Sequence, residues 1–424
     1  MGKNANDKTN KTSNNDKFIN GPLNVARVEG NIDGIKKVLY LFMDIHNGTE
    51  YQTECENMYS TDVDKYMLDQ FNNFQSTDSD KILDVFVEIR HEQISYQESD
   101  YEEIHKGIYI RKIFKIFKHQ YSFNKNNISH AKDFNRVRLH HMDFRDYIPK
   151  MMVFSIRQFG MMGNSIYNTG VSTTTMDNFV KHANIIEKFA TNVLSILKHP
   201  EKINTHAKIQ SDAKGVIIKS PTETERMNIF NNLIYKITNT YNHKSVHETL
   251  VKDFDSYLIP RYENFIESIK NFIIFANAVK VDIKRLQYRR VDTKDNGSHY
   301  RLPHEYIRGI MHDIDTKVDR IDNDYLQIHS EIIDYYMMRR FLDKDYITNS
   351  ISYTGIAHSS HMMRFLLKNF NFTLTHMAKS PHENLKKVQD DIINSPHINH
   401  AQRFIFPPED YQCSNLKDFP GNFE

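Results

Sequence analysis

The chain of 424 residues contains only two cysteines, no tryptophan and almost no net charge, its formal value being +1. Cys55 and Cys413 are too few for a disulfide framework or a cysteine-based zinc site, and they fit a reducing compartment. Basic and acidic residues are interspersed, which argues against a general nucleic-acid-binding protein. No apolar run reaches the roughly 18 residues of a membrane-spanning helix, and residues 1–20 lack the apolar stretch of a secretory signal. We therefore predict a cytoplasmic protein that binds neither nucleic acid nor membranes.

The composition, 39% hydrophobic and 26% charged, is typical of a globular chain long enough to bury a large core. Residues 1–22 are polar, rich in Asn and Lys, and without periodicity, so we expect a disordered tail. Ordered structure is expected to begin near Val25.

The first part of the chain alternates between two kinds of segment. Apolar runs at 34–46, 81–90 and 135–148 are typical of strands, the first two of strands buried on both faces. Between them, 60–74 has helical spacing and 101–121 is amphipathic. Strands that alternate with helices indicate βαβ units and a parallel sheet. We therefore assign 23–175 to the N-terminal half of an α/β core.

The middle of the chain is helical. Residues 176–345 carry apolar side chains at intervals of three and four, with joints predicted at 200–221 and 289–302. Residues 346–380 then read as strand, sharp turn, helix and strand, and the proline-containing 381–424 as an irregular tail. A lone strand–helix–strand unit cannot bury both of its faces. The sequence therefore predicts an α/β fold whose mainly parallel sheet is formed by N- and C-terminal segments, with a large helical insertion or cap.

Polar side chains follow the predicted strands. Asp44 and His46 close the first, Glu88 closes the second, and His358 follows a late strand after the tight turn at Gly355. Ligands of open α/β sheets bind at the carboxyl ends of parallel strands. A charged Glu at the end of an apolar strand should be paired or face a crevice. The set predicts a polar site at the rim of the sheet.

Three further candidates lie in the segment VRLHHMDFRDY, namely His140, Asp143 and Arg145. Each candidate also has a purely structural interpretation. Asp143 and Arg145 could form a local ion pair at a strand edge, Glu88 could pair with Arg90, and a histidine in a chain with 22 of them could cap an element. The combination of residues carries more weight than any member.

The motifs resemble those of the Tiki/TraB/ChaN/erythromycin-esterase-like superfamily, which has two Gly-x-x-His motifs, an intervening Glu and an Arg. The second motif is intact as Gly355–His358. The strand VFVEIR, which contains Glu88, resembles the strand that carries the intervening Glu in the superfamily. The first motif departs, because Met43 stands where Gly is usual before His46. The residue that corresponds to the superfamily's arginine is Arg145 or one of the two arginines at 339–340. The chain also resembles uncharacterised proteins of large DNA viruses, through SYTGIAHSSHMMRFL and its base composition.

The resemblance implies a hydrolytic site of one of two kinds. In one, His46, Glu88 and His358, with Asp44 or Asp143, bind a divalent ion such as Mn²⁺, Co²⁺ or Zn²⁺, which activates a water. In the other, no metal is needed. His46 then acts as general base, Glu88 orients it, and an arginine such as Arg145 stabilises the oxyanion.

The leading hypothesis is a hydrolase of an amide or ester bond in a small-molecule or peptide substrate, selected by the helical cap. The alternatives are a binding or structural protein without turnover and a haem or small-ligand binder, since part of the superfamily is associated with iron uptake. A nucleotide site is disfavoured because no glycine-rich loop follows the first strand. A viral protein of this kind would lie in the host cytoplasm or the virion.

Overall fold

The chain divides into two compact units. The first contains residues 1–89, 96–141 and 344–424, and the second contains 90–95 and 142–343. The computed structural model describes residues 17–45, 55, 59–76, 80–90, 109–123, 129–131, 134–204, 210–211, 217–219, 222–289, 304–407 and 412–423.

In chain order the strands of the described residues are β1 (Phe18–Asn20), β2 (Asn24–Ile32), β3 (Ile35–Asp44), β4 (Thr61–Asp62), β5 (Leu83–Arg90), β6 (Tyr121–Phe123), β7 (Ser129–Ala131), β8 (Val137–Asp143), β9 (Gln210–Ser211), β10 (Ile217–Lys219), β11 (Asn349–Gly355), β12 (Thr373–Met377) and β13 (Cys413–Asn415). They form four sheets, the largest of which is six-stranded with the order β12–β2–β3–β11–β5–β8. A three-stranded sheet has the order β13–β1–β4, and two hairpins pair β6 with β7 and β9 with β10.

The six-stranded sheet joins the two ends of the chain. Strand β11 lies parallel to both of its neighbours, with Asn349 opposite Val38 of β3 and Leu83 of β5. Strands β2 and β3 form an antiparallel hairpin, and β12 pairs antiparallel with β2. The apolar positions of β3 and β5 are buried on both faces, as expected for central strands. The predicted α/β fold, with a shared and mainly parallel sheet, is confirmed.

The helices are α1 (Val63–Ser76), α2 (Tyr109–Gln120), α3 (Lys150–Asn164), α4 (Ile166–Thr169), α5 (Thr173–Lys198), α6 (Glu223–Asn239), α7 (Lys244–Asp253), α8 (Ile259–Arg289), α9 (His304–Asp343), α10 (Ile356–Asn369), α11 (Leu385–Asn394) and α12 (Ile398–Ala401). Helix α10 contacts β3 and β11 of the six-stranded sheet. Phe423 covers Phe42 of β3, with the two rings 6.2 Å apart, and Phe71 of α1 packs against Phe423 in turn.

The second unit is helical. Helices α3, α5, α8 and α9 pack in a cycle in which each contacts the next, and a π-helix at Phe254–Leu258 joins α7 to α8. The rings of Phe159, Phe179 and Phe272 meet in the core with centroids 4.7 to 5.6 Å apart. Among the described helices, none combines the length and the hydropathy of a membrane-spanning segment.

The structure corrects several predicted boundaries. Order begins before Val25, because β1 pairs with β13 and β4, whereas residues 1–16 lie outside the described residues. The helical unit begins at 142 rather than 176, and α3 occupies part of the segment assigned to the α/β half. The tail 381–424 is not merely irregular, since it contains α11, α12 and β13. Strands β1 and β13 depend on pairing partners far away in sequence, so local periodicity did not indicate them. Helix α11 did have a local signal, because its buried residues Val388 and Ile392 are four positions apart.

The structure also corrects the interpretation of the cysteines. Cys55 and Cys413 are joined by a disulfide across 358 sequence positions, with their Cα atoms 5.2 Å apart. A single pair of distant cysteines carries no spacing pattern, which is why the sequence favoured a reducing compartment instead.

Candidate functional site

Glu88 and His358 meet at the carboxyl ends of β5 and β11. The His358 Nε2 atom lies 3.2 Å from Glu88 Oε1, and the side chains are only 5% and 6% exposed, respectively. The second carboxylate oxygen, Oε2, accepts a hydrogen bond of 2.9 Å from the backbone N–H of Gly355. The structure therefore brings together two of the residues that the sequence singled out.

Local sequence explains how His358 reaches this position. Strand β11 ends at Gly355, and α10 begins at Ile356, so His358 lies in the first turn of the helix. Gly355 is the N-cap and supplies no side-chain cap. The hydroxyls of Thr354 and Ser359 lie 2.8 Å apart and join the end of the strand to the same turn. The backbone N–H groups of this turn carry the partial positive charge of a helix N-terminus.

Asp44 points to the opposite face of the sheet. Phe42, Tyr353 and Val87 are partners in neighbouring strands, so their side chains share one face. Glu88 follows Val87 and points to the other face, whereas Asp44 lies two residues after Phe42 and points to the first. The predicted grouping of Asp44 with the Glu88–His358 pair is therefore not formed, because strand pleating separates the two carboxylates.

Asp44 has partners of its own. Its Oδ1 accepts a hydrogen bond of 3.1 Å from the side chain of Gln412, and the carboxyl group is fully buried. Burial, with the nearby carboxylate of Asp44 as the next cause, raises the pKa of Tyr353 well above its ordinary value. No sequence pattern indicated Gln412, which comes from the far end of the chain.

Asp143 and Arg145 belong to the second unit and form a local ion pair. The guanidinium binds both carboxylate oxygens, with distances of 2.9 Å and 2.7 Å, and the backbone N–H of Arg145 adds a bond of 3.0 Å. The alternative arginine Arg339 donates to the carbonyl of Thr240. Asp143 and Arg145 therefore form the local ion pair that was the structural alternative to a catalytic role.

His46 lies outside the described residues. Within the described part of the chain, no group of three or more His, Cys, Asp or Glu side chains could hold a metal ion. The described side chains therefore do not supply a complete ligand set, and we derive no metal step from them.

A further buried carboxylate in the first unit, Asp84, escaped the sequence interpretation. Asp84, fully buried in β5, binds the guanidinium of Arg138 at 2.8 Å and 2.7 Å and lies 2.6 Å from His140 Nε2. The imidazole of His140 stacks on Phe86 at 4.6 Å. An aspartate within the apolar run LDVFV was a visible signal, because a buried charge requires a partner. This cluster connects β5 to β8.

Comparison with known proteins gives one matching family and several viral relatives. A family model described as a family of unknown function (DUF5847) matches residues 17–424. Uncharacterized protein R706 of Acanthamoeba polyphaga mimivirus is 32% identical over 97% of this chain and 98% of its own length. Proteins R161 and R160 of the same virus, both uncharacterized, are 28% and 30% identical over 96% of this chain and 98% of their own lengths. No solved structure matches the chain significantly. The predicted viral resemblance is confirmed, and the chain belongs to the DUF5847 family.

Proposed function

We propose that the protein is a hydrolase of an ester or amide bond in a small-molecule or peptide substrate, and that Glu88 and His358 form its acid–base dyad. The observation that carries this proposal is the buried carboxylate–imidazole pair, 3.2 Å apart, at the carboxyl ends of two parallel strands. This edge of a parallel sheet is where α/β proteins bind ligands. The resemblance of Glu88 and the Gly355–His358 motif to the Tiki/TraB/ChaN/erythromycin-esterase-like superfamily supports the same class of reaction.

In the proposed mechanism, Glu88 fixes the tautomer of the imidazole. A carboxylate that accepts from Nε2–H leaves Nδ1 as the basic nitrogen of His358, and Nδ1 takes the proton of the attacking water. The bond from the Gly355 N–H holds the carboxylate in place. The negative charge of the tetrahedral intermediate is stabilised by backbone N–H groups in the first turn of α10, which has no side-chain cap. Arg145 is not used, since Asp143 binds it.

The test is hydrolysis of a panel of p-nitrophenyl esters and aminoacyl p-nitroanilides by the full chain. We expect Glu88→Gln and His358→Gln to lower kcat/KM by about 10²–10⁴-fold, as for loss of a general base. His140→Gln is the matched control, because it removes another imidazole of this unit that pairs with a carboxylate and is only 10% exposed. The proposal fails if the native protein hydrolyses no member of the panel, or if the control loses as much activity as His358→Gln.

The metal-dependent version is a separate proposal that needs His46 as a further ligand. Elemental analysis of protein purified without chelator separates the two versions. We expect no stoichiometric Mn, Co or Zn and unchanged turnover after dialysis against EDTA. One bound ion per chain, with activity lost on chelation and restored by the ion, would replace the metal-free mechanism with the metal-dependent one.

A second candidate function is a structural or binding protein of the virion that retains the fold without turnover. The disulfide between Cys55 and Cys413 favours it, because disulfides persist on virion surfaces and in other oxidising environments but are rare in the reducing cytosol. Thiol alkylation of the protein in purified particles and in infected-cell cytosol tests the location. Oxidised cysteines in particles, with no turnover on the panel, would favour this candidate. Reduced cysteines throughout, with turnover, would exclude it.

A further inference from the structure

The C-terminal residues 412–423, here called the strap, lie against the N-terminal residues of the first unit. Strand β13 pairs antiparallel with β1, with Cys413 opposite Asn20. The carbonyl of Gln412 accepts from the N–H of Gly21 at 3.2 Å, and the hydroxyl of Ser414 donates to the carbonyl of Pro22 at 3.1 Å. The strap therefore contributes one strand, β13, to the three-stranded sheet.

The strap also covers the central sheet. Phe423 is 2% exposed, and its ring lies 5.2 Å from that of Tyr40 and 6.4 Å from that of Phe71. The backbone carbonyl of Phe423 accepts a hydrogen bond of 2.9 Å from Asn349 of β11. The side chain of Gln412, at the start of the strap, binds the buried carboxylate of Asp44. Release of the strap would expose aromatic side chains of the core and the Asp44 carboxyl group at the end of β3.

One covalent bond holds this strap. Cys413 in β13 is joined to Cys55, whose backbone N–H donates to the side chain of Asn20 at 2.9 Å. The noncovalent contacts of the strap come from a twelve-residue segment, and short segments of this kind open locally at low free-energy cost unless they are tied down. Because the bond removes much of the freedom of the opened state, it raises the cost of opening.

We propose that the Cys55–Cys413 disulfide is a redox latch, which holds the strap on the sheet in the oxidised protein and releases it in the reduced protein. The latch closes by two exchange steps with a small disulfide oxidant such as oxidised glutathione. One cysteine thiolate attacks the oxidant to give a mixed disulfide and one glutathione thiolate. The second cysteine thiolate attacks the mixed disulfide, forms the Cys55–Cys413 bond and displaces the second glutathione thiolate. The protein loses two electrons and two protons, and the oxidant becomes two thiols.

The test is hydrogen exchange of the full oxidised chain before and after reduction with a phosphine under native conditions. We expect no titratable thiol before reduction and two after it. We expect amide exchange in the strap to accelerate at least tenfold, while exchange in β11 changes less than twofold. The thermal midpoint should fall by about 5 to 15 °C, and reoxidation with oxidised glutathione should restore the slow exchange.

Two outcomes would overturn the latch. Free thiols in protein equilibrated with oxidised glutathione would show that the bond does not form. Unchanged exchange in the strap after complete reduction would show that the bond does not hold it. Cys55→Ser/Cys413→Ser is the control variant, and its strap should exchange rapidly whether or not reductant is present. The latch does not rest on the proposed hydrolase, since none of these measurements uses turnover.

Discussion

Acidification should destabilise the helical unit through one buried imidazole, that of His329 in α9. The side chain is 2% exposed, and Nδ1 bonds the carbonyl of Tyr325 at 2.8 Å. The Nε2 atom is buried and has no hydrogen-bond partner among the described residues. Burial lowers the pKa of His329 from 6.5 to about 4, the bond to Tyr325 partly opposes this shift, and the nearby guanidinium of Arg145 adds to it.

The sign of the effect follows from which state takes up the proton. Above pH 6.5 the imidazole is neutral in both the folded and the unfolded chain. Below pH 6.5 the unfolded chain binds a proton that the folded chain rejects until about pH 4, so stability falls as the pH falls through this window. A shift of about 2.5 pH units corresponds to roughly 3 kcal/mol at the acid end. Between pH 7 and pH 5 the expected loss is about 2 kcal/mol.

The assay is urea unfolding of the full chain and of His329→Phe at pH 7 and pH 5, followed by far-ultraviolet circular dichroism. Phenylalanine keeps a ring beside Tyr262 and Tyr325 but cannot titrate. Carboxylates that protonate in this range lower the free energy of unfolding of both proteins equally. Between pH 7 and pH 5 the free energy of unfolding of the native protein should therefore fall by about 2 kcal/mol more than that of the variant. An extra loss below about 0.5 kcal/mol, or one of opposite sign, would refute the assignment of a neutral buried imidazole.

Three further substitutions test the packing, each measured by urea or thermal unfolding. Asp84→Ala removes the carboxylate that binds the guanidinium of Arg138, whose side chain is 33% exposed. We expect the free energy of unfolding to fall by about 3 kcal/mol. Gly163→Ala places a Cβ 2.5 Å from a methyl of Val318, and the overpacking should cost about 1–3 kcal/mol. Gly309→Ala, in α9 with open space around it, should instead stabilise by about 0.5–1 kcal/mol. Equal effects at the two glycines would contradict the close approach at Gly163.

Most central elements could be predicted from sequence because their periodicity is a local property. The apolar runs at 34–46 and 81–90 contain β3 and β5, and the pattern at 60–74 contains most of α1. The shared sheet followed from a burial argument, since a lone strand–helix–strand at 346–380 has no other way to cover both faces. The position of β11 between β3 and β5 confirms that argument.

The hairpin of β2 and β3 was predictable but missed. Ile32 pairs with Ile35 across the two-residue turn Asp33–Gly34, in which both residues have positive φ, 48° and 91°. An Asp-Gly pair is a strong signal for this type of hairpin turn. The predicted strand at 34–46 begins at Gly34, and no partner strand was predicted before it. The signal was local and therefore available.

The sequence by itself determined the α/β class with its helical parts, and it singled out Glu88 and His358 as candidates that lie close together. Only the tertiary structure decided which side chains meet. Strand register placed Asp44 on the opposite face from Glu88, and chain closure paired Cys55 with Cys413. The physical reason is that helical and strand periodicity is set by neighbours a few residues apart. Contacts across hundreds of residues are set by the packing of complete elements, which local sequence does not encode.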